Sequence, residues 1–439
     1  MRGNVIIIGG GFGGLSAGAL LSKSGIPVTL FESDTVLGGR AKCIEKEGYI
    51  VDLGLHANRF GDDGPAARVL KMVGQAITFA HKKDRTSYVY QDGKLIKRPN
   101  AIEDFLQTEL VPEESRQALL QTVFAMVAED PADWYEKALL QFVEQHTQDE
   151  HVKRFFRLLG FTIIAPDIET ASAGEVISFI KNAQMAKEPL AEPVGGAKQI
   201  IDKLESVIRS TGGEIKTGTR VERIELQDGK AIGVTAGGRL YTASAIVFTP
   251  PIQHLFQFIK KDYFSPDFVS YAENLEPTSG VSIDFGLRKP VADMEGNIIC
   301  LDPVVLGSFP SNYDSTLAPA GKQLSTWLMV VPYAEAKKGP TLKNALDSLR
   351  DFIRNLYPTF FDNVEWERPL AYLILDGVHL KVGQTRKDRH SIQSPHVRNL
   401  FFVGDTAQGD GCSGDIAFDS ATKAAPMIQD YLATARNQL

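Results

Sequence analysis

The first chemistry the chain offers is recognition of a phosphate-bearing nucleotide. The apolar run Val5-Ile6-Ile7-Ile8 leads into Gly9-Gly10-Gly11-Phe12-Gly13-Gly14. A small-residue helix is predicted over 15–22, and a second apolar run, Val28-Thr29-Leu30-Phe31, ends in Glu32 and Ser33. In this order of strand, glycine turn, helix, strand and acid, Gly9 permits the tight turn and Gly11 lets the backbone approach a pyrophosphate. Gly14 lets helix and strand pack closely. Free N–H groups at the helix start, where Phe12 and Gly13 stand, face the phosphate charge. Glu32 lies 18 positions beyond Gly14, close to the roughly 20 expected for a carboxylate that bonds ribose hydroxyls. The acid opposes a 2′-phosphate, so NADP is disfavoured and NAD or FAD remains. A glycine turn alone is common; the flanking strands and the terminal acid make this one specific.

Two further clusters carry reactive groups. Asp34-Thr35-Val36-Leu37-Gly38-Gly39-Arg40 is a second glycine-rich loop with a cation, and Asn399-Leu400-Phe401-Phe402-Val403-Gly404-Asp405 is a strand ending in glycine and acid. Arginine supplies fixed donors for phosphate oxygens, and an acid at a strand end accepts from polyol hydroxyls. The alternatives are a surface ion pair for Arg40 and a helix cap for Asp405. Beyond them, Gly409-Asp410-Gly411-Cys412-Ser413-Gly414-Asp415 places a thiol among carboxylates. Cys412 is either a reactive thiol or a small packing residue, and packing is favoured because no basic partner is evident.

The elements that must position these groups follow from pattern. Residues 86–98 read as a β-hairpin about Asp92-Gly93, 101–190 as a helical block, and 195–208 as a glycine-opened helix with Ile200, Ile201, Leu204, Val207 and Ile208 on one face. A second hairpin turns at Gln227-Asp228-Gly229 and leads to strand 245–248; further strands fall in 278–333, and 341–356 is an amphipathic helix. A last helix follows Gly414, with Pro426 expected to kink or restart it. Asp52 is expected to cap or bond locally. Trp327, Tyr333 and Phe285 fill core or line a cavity.

Bulk properties narrow the class. At 439 residues the chain exceeds one simple core, which implies two domains, and 43% hydrophobic with 23% charged residues is ordinary for a globular protein. A net charge of −7 without a long basic run excludes nucleic acid as the expected partner. The clusters Lys82-Lys83 and Arg386-Lys387-Asp388-Arg389 are expected on solvated faces. Three cysteines without a C-x-x-C spacing argue against a disulfide scaffold or a structural zinc site, and no metal is expected. The first strand begins within four residues of Met1 and no long apolar span occurs, so a cytoplasmic protein is expected. A peripheral membrane contact is carried for His254-Leu255-Phe256-Gln257-Phe258-Ile259-Lys260-Lys261, although a core-packed helix with a wet end suits it better.

Together these segments resemble the flavoprotein family of phytoene desaturases, amine oxidases and protoporphyrinogen oxidases. Val194-Gly195-Gly196-Ala197 and its following hairpin look closest to the phytoene desaturase-like branch. The resemblance implies an α/β fold with a discontinuous Rossmann-type FAD-binding domain over 1–80, 191–252 and 385–439. It implies a substrate domain of mixed sheet and helices over 81–190 and 253–384. By the same resemblance Gly39 and Arg40 would lie near the pyrophosphate and flavin edge. Val221 would hold adenine through its backbone, and Gly404 and Asp405 would bond the ribityl or phosphate region. Ile416 and Ala417 would aim backbone N–H groups of the last helix at negative charge on the reduced flavin. His56 would approach the flavin or substrate and could shuttle a proton, or else bond within the domain interface. Asp415 departs from the family's apolar loop; it caps the helix, or it takes a catalytic or substrate-binding role.

No counterpart of the amine oxidases' lysine and no cysteine tether for flavin is found, which points to noncovalent FAD and away from simple amines. The function implied is hydride transfer between flavin N5 and a hydrophobic or conjugated, isoprenoid-like substrate, with desaturation or saturation of a carbon–carbon bond. The electron partner is left open. So are a redox-neutral isomerase, an amine oxidase, and a flavin-free prenyl binder of the Rab GDP-dissociation-inhibitor type.

Overall fold

The computed structural model describes residues 3–54 and 58–436. His56 lies outside the described residues.

Continuous apolar runs become strands buried on both faces, as a parallel sheet between helices requires. Val5–Ile8, Ala245–Phe248 and Leu400–Phe402 are buried throughout and pair in parallel, with Val28–Phe31 and Glu214–Lys216 completing five strands. The order across the sheet is Leu400–Phe402, Ala245–Phe248, Val5–Ile8, Val28–Phe31, Glu214–Lys216. Three widely separated stretches of chain therefore build one sheet. The opening helix, Phe12–Lys23, packs between the closing helix Gly414–Arg436 and helix Lys198–Ser210. At Gly18 a Cβ would stand 2.8 Å from Ile208 Cδ1, so a small residue sets that helix spacing.

The expected hairpin turning at Asp228-Gly229 forms between Val221–Gln227 and Lys230–Ala236, with Asp228 at φ 50° and Gly229 at φ 70°. A third strand, Arg239–Thr242, extends it across a Gly237-Gly238 turn. That strand was not foreseen because it is short, largely exposed and carries no apolar alternation.

The remaining strands form a seven-stranded sheet. Its order is Val364–Tyr372, Ser279–Leu287, Gln323–Val331, Val304–Ser308, Ile298–Leu301, Tyr88–Gln91, Lys94–Lys97. Period-two alternation divides its faces. Phe285, Trp327 and Met329 pack with Leu349, Phe352 and Ile353 of helix Thr341–Leu356, so Trp327 and Phe285 are core residues. Leu328 and Val330 point the other way, and Val330 packs with the large core shared by the helices of 102–185 and the parallel sheet.

Three expectations are corrected. The closing helix runs unbroken from Gly414 to Arg436 with exposed Pro426 inside it, so the proline does not restart it. Asp52 caps as expected, but the helix is a distant one: its carboxylate accepts from Ala197 N at 3.0 Å at the start of helix Lys198–Ser210. Arg386 and Arg389 are not on a solvated face; Arg386 pairs with buried Glu175 at 2.7 Å and Arg389 is buried. Lys82 is largely buried too, bonded to Glu192 at 2.8 Å and set over the Tyr313 ring. Among the described residues no helix is long and apolar enough to cross a membrane. Segment 254–261 is a short 3-10 turn, Ile252–Gln257, anchored by buried Leu255, with Lys260 and Lys261 exposed.

Candidate functional site

The opening turn is built without side-chain bulk. Gly9 adopts φ 104°, and its N–H donates to Phe31 O at 2.8 Å. A Cβ on Gly14 would fall 2.0 Å from Gly9 O, so only glycine allows the helix to start this close to the strand. Gly11 caps the helix with no side-chain bond and the first turn holds no acid, which leaves the N–H groups at Phe12 and Gly13 to an external anion. Glu32, 8% exposed, is fixed at the end of the second strand. One carboxylate oxygen accepts from Gly10 N at 2.7 Å, the other from Asp34 N at 2.7 Å and Ser33 Oγ at 3.1 Å.

The third chain segment meets this turn edge-on. A Cβ on Gly13 would lie 3.3 Å from Gly404 Cα, and Gly404 itself takes φ 137°. Beside it Arg40 Nη2 donates to Asp405 Oδ1 at 2.6 Å and Arg40 Nη1 to Leu375 O at 3.1 Å, while Asp405 Oδ2 accepts from Gly377 N at 2.6 Å. Burial works against the Arg40 charge, yet the neighbouring Asp405 carboxylate raises its pKa above the ordinary value. Between them Arg40 and Asp405 clamp segment 375–377.

A second buried charge cluster lies at the start of the closing helix. Arg59 Nη1 stands 3.6 Å from Asp415 Oδ2. Burial pushes the Asp415 carboxyl up to about 6 against the attraction of Arg59. Asp376 is likewise raised, by burial and by the charge of Asp405. Asp415 does not cap the helix as expected: it sits within the first turn, and its Oδ2 has no hydrogen-bond partner. Cys412, 1% exposed, is pushed up to about 12 by burial, in keeping with a packing role.

Apart from Cys412, these groups line one cavity of about 570 Å³, the size of a single ligand site. Gly9, Gly11, Phe12 and Gly13 line it with Glu32 and Ser33 at one end; Gly39, Arg40, Gly404 and Asp405 form its middle; Asp415 and Ala417 lie at the closing helix, and Val221 is part of the wall. Gly14, Ile416 and Cys412 are not in the lining; Ile416 and Cys412 are buried core residues, and Gly14 packs against the turn. Sequence reasoning missed Arg59, Asp376 and His254, which line the cavity. Each is isolated in sequence, and only the unusual run of polar residues Asn58-Arg59 after Asp52-Leu53-Gly54 marked that region. His254 is held toward its neutral form by burial and by the nearby Arg40 charge.

The donor set suits an adenylated, flavin-bearing group: an open glycine cradle and uncapped helix start for phosphate, a fixed carboxylate for hydroxyls, and a buried Asp415 oxygen lacking a donor. The lining also includes the apolar side chains of Leu53, Ile164, Leu328 and Leu375, with Tyr372.

The family model for flavin containing amine oxidoreductases matches residues 12–428. A phytoene desaturase (lycopene-forming) of Pseudescherichia vulneris is 23% identical over 97% of this chain and 99% of its own. Among solved structures, an oxidoreductase from Methanosarcina mazei has a TM-score of 0.82 at 21% identity, covering 96% of this chain and 100% of that one. A Rab GDI from Plasmodium falciparum has a TM-score of 0.63 at 14% identity, covering 98% of each chain. At these identities the solved structures report the fold alone.

Proposed function

The chain belongs to the flavin-containing amine oxidoreductase family, and from that membership we propose that it binds FAD noncovalently in a Rossmann-type, discontinuous domain and oxidises or reduces a hydrophobic, isoprenoid-like substrate. The observation that carries the reading is the single cavity in which the glycine turn, Glu32, the Arg40–Asp405 pair and the start of the closing helix converge. The chemistry supplied by bound FAD is two-electron hydride transfer at N5.

The chain's own residues do the rest. Phe12 and Gly13 N–H groups hold the pyrophosphate, with Arg40 supplying a charge kept in place by Asp405. Glu32 already accepts two backbone donors and keeps lone pairs for ribose hydroxyls. Val221 lines the adenine end. The first N–H groups of the closing helix, around Ile416 and Ala417, favour negative charge at the far end. Asp415, raised to about 6, pairs with Arg59 at 3.6 Å and has an Oδ2 still open to a hydrogen-bond donor there. His56 is assigned proton transfer to or from the substrate. The apolar wall of Leu53, Ile164, Leu328 and Leu375 excludes water and suits a hydrocarbon. That wall supports carbon–carbon desaturation or saturation over oxidation of small amines.

The test is spectroscopic. Purified protein should show flavin absorbance, and denaturation should release FAD intact. Anaerobic titration should bleach the flavin with a polyene or isoprenoid and not with simple amines. Absence of flavin bands after reconstitution with FAD would overturn the reading, and bleaching by amines alone would transfer the activity to amine oxidation.

A further inference from the structure

Strand Ser279–Leu287 runs inside the seven-stranded sheet, paired on both sides, and its side chains alternate between two faces. Val281, Ile283 and Phe285 pack into the core under helix Thr341–Leu356. Ser282 and Asp284 therefore point the other way, onto the face from which Leu328 and Tyr372 line the cofactor cavity.

Polar side chains withdrawn from water in mid-sheet need partners. Asp284 has one: its Oδ2 accepts from Arg368 Nε at 3.0 Å and from Arg368 Nη2 at 2.8 Å. Arg368 Nη2 also donates to Asp52 O at 2.6 Å, so the guanidinium is held behind the cavity wall. Ser282 and Tyr372 differ. Ser282 is fully buried, and neither its Oγ nor Tyr372 Oη has a hydrogen-bond partner among the described residues.

Both hydroxyls face the same backbone position. A Cβ on Gly54, which takes φ 81° and lines the cavity, would stand 4.0 Å from Ser282 Oγ and 4.0 Å from Tyr372 Oη. Glycine leaves the space beside the two hydroxyls without a side chain. Burial pushes the Tyr372 phenol up to about 12, with the nearby Ser282 hydroxyl acting in the opposite direction, so at neutral pH the phenol keeps its proton and donates. The side chains of Leu53, Leu328 and Leu375 in the same lining carry no polar group. Two unpaired hydroxyls in such a wall are costly unless a bound molecule supplies the acceptor.

Building on the FAD-dependent reading above, we propose that Tyr372 and Ser282 form a polar subsite that hydrogen-bonds one neutral carbonyl oxygen of the substrate, which is then an isoprenoid ketone or aldehyde. A carbonyl oxygen has two lone pairs and no proton, which suits two O–H donors. A carboxylate or ammonium would enter without a counter-ion, because Arg368 and Asp284 already hold one another. A bare hydrocarbon leaves both hydroxyls unpaired. The pair therefore selects among isoprenoids by their oxygen.

The experiment uses the FAD-loaded protein, oxidised and anaerobic, and two probes: geranylacetone and the hydrocarbon with a methylene in place of its carbonyl. Calorimetry gives affinities for wild type, Tyr372→Phe and Ser282→Ala, each variant losing one hydroxyl. Each substitution should weaken the ketone by about fivefold or more and the hydrocarbon by less than about twofold, the difference measuring the coupling between probe oxygen and hydroxyl. Without a probe, Tyr372→Phe should melt at or above the wild-type temperature, since it loses an unpaired polar group. Equal losses for the two probes, unchanged affinity for the ketone, or a fall in melting temperature that marks the hydroxyl as structural overturns the proposal. Flavin absorbance answers the cofactor question separately: a protein that takes up no flavin yet shows the ketone-specific losses keeps the subsite and sinks the FAD reading.

Discussion

Burial of Asp415 beside Arg59 couples folding to pH. Its carboxyl, normally near 3.8, is pushed up to about 6 by desolvation. The folded state therefore favours the protonated form: its stabilising contribution is complete below the unfolded value and disappears as pH rises through about 6. In FAD-free protein, the unfolding free energy of wild type from urea titration should fall between roughly pH 4 and pH 7 by up to about 3 kcal/mol more than that of Asp415→Asn, which stays neutral. Parallel pH curves for the two proteins would contradict this. Glu32→Ala should weaken FAD binding by about 1.5–3 kcal/mol, read from the fluorescence of released cofactor. Glu32→Gln should lose less, because an amide oxygen still accepts from the turn. Glu32 and Arg40 were legible because motif spacing marks them. Arg59 and Asp376 were not: their significance comes from desolvation and from neighbours hundreds of positions away, and no local pattern records that. Which helix Asp52 caps was not legible for the same reason, its partner Ala197 lying far along the chain.

The closest helix–strand approach depends on one missing methyl. Gly14→Ala would drive a Cβ against the Gly9 carbonyl, a backbone atom with little freedom to yield, and should cost about 3 kcal/mol or more or prevent folding; solubility and circular dichroism would report it. Pro426→Ala should act in the opposite direction. The site is exposed and mid-helix, so restoring the missing N–H should stabilise by about 1–3 kcal/mol in denaturant titration. Elements with strong periodicity, such as Thr341–Leu356, and continuous apolar runs, such as Ala245–Phe248, were readable from sequence. Arg239–Thr242 was not, because an exposed edge strand is defined by its hydrogen-bonded neighbour, not by a hydrophobic face.

Across the whole molecule, the three tryptophans, Trp134, Trp327 and Trp366, all lie outside the parallel sheet. Their fluorescence therefore reports on the helical block and the seven-stranded sheet. At roughly 100 times its dissociation constant FAD should add about 2.7 kcal/mol. If the layers unfold as one unit, stripping the cofactor should lower the fluorescence melt and the circular dichroism melt together; a shift in circular dichroism alone would mean independent unfolding. Segment 375–377 makes the single-unit outcome the expected one. It leaves the end of strand Val364–Tyr372, bonds back to Thr278, and is then held by Arg40 and Asp405. A chimera that exchanged the seven-stranded sheet for a homologue's, to reprogram which molecule is transformed, would have to leave these three residues with the recipient scaffold and place its splice junctions outside them.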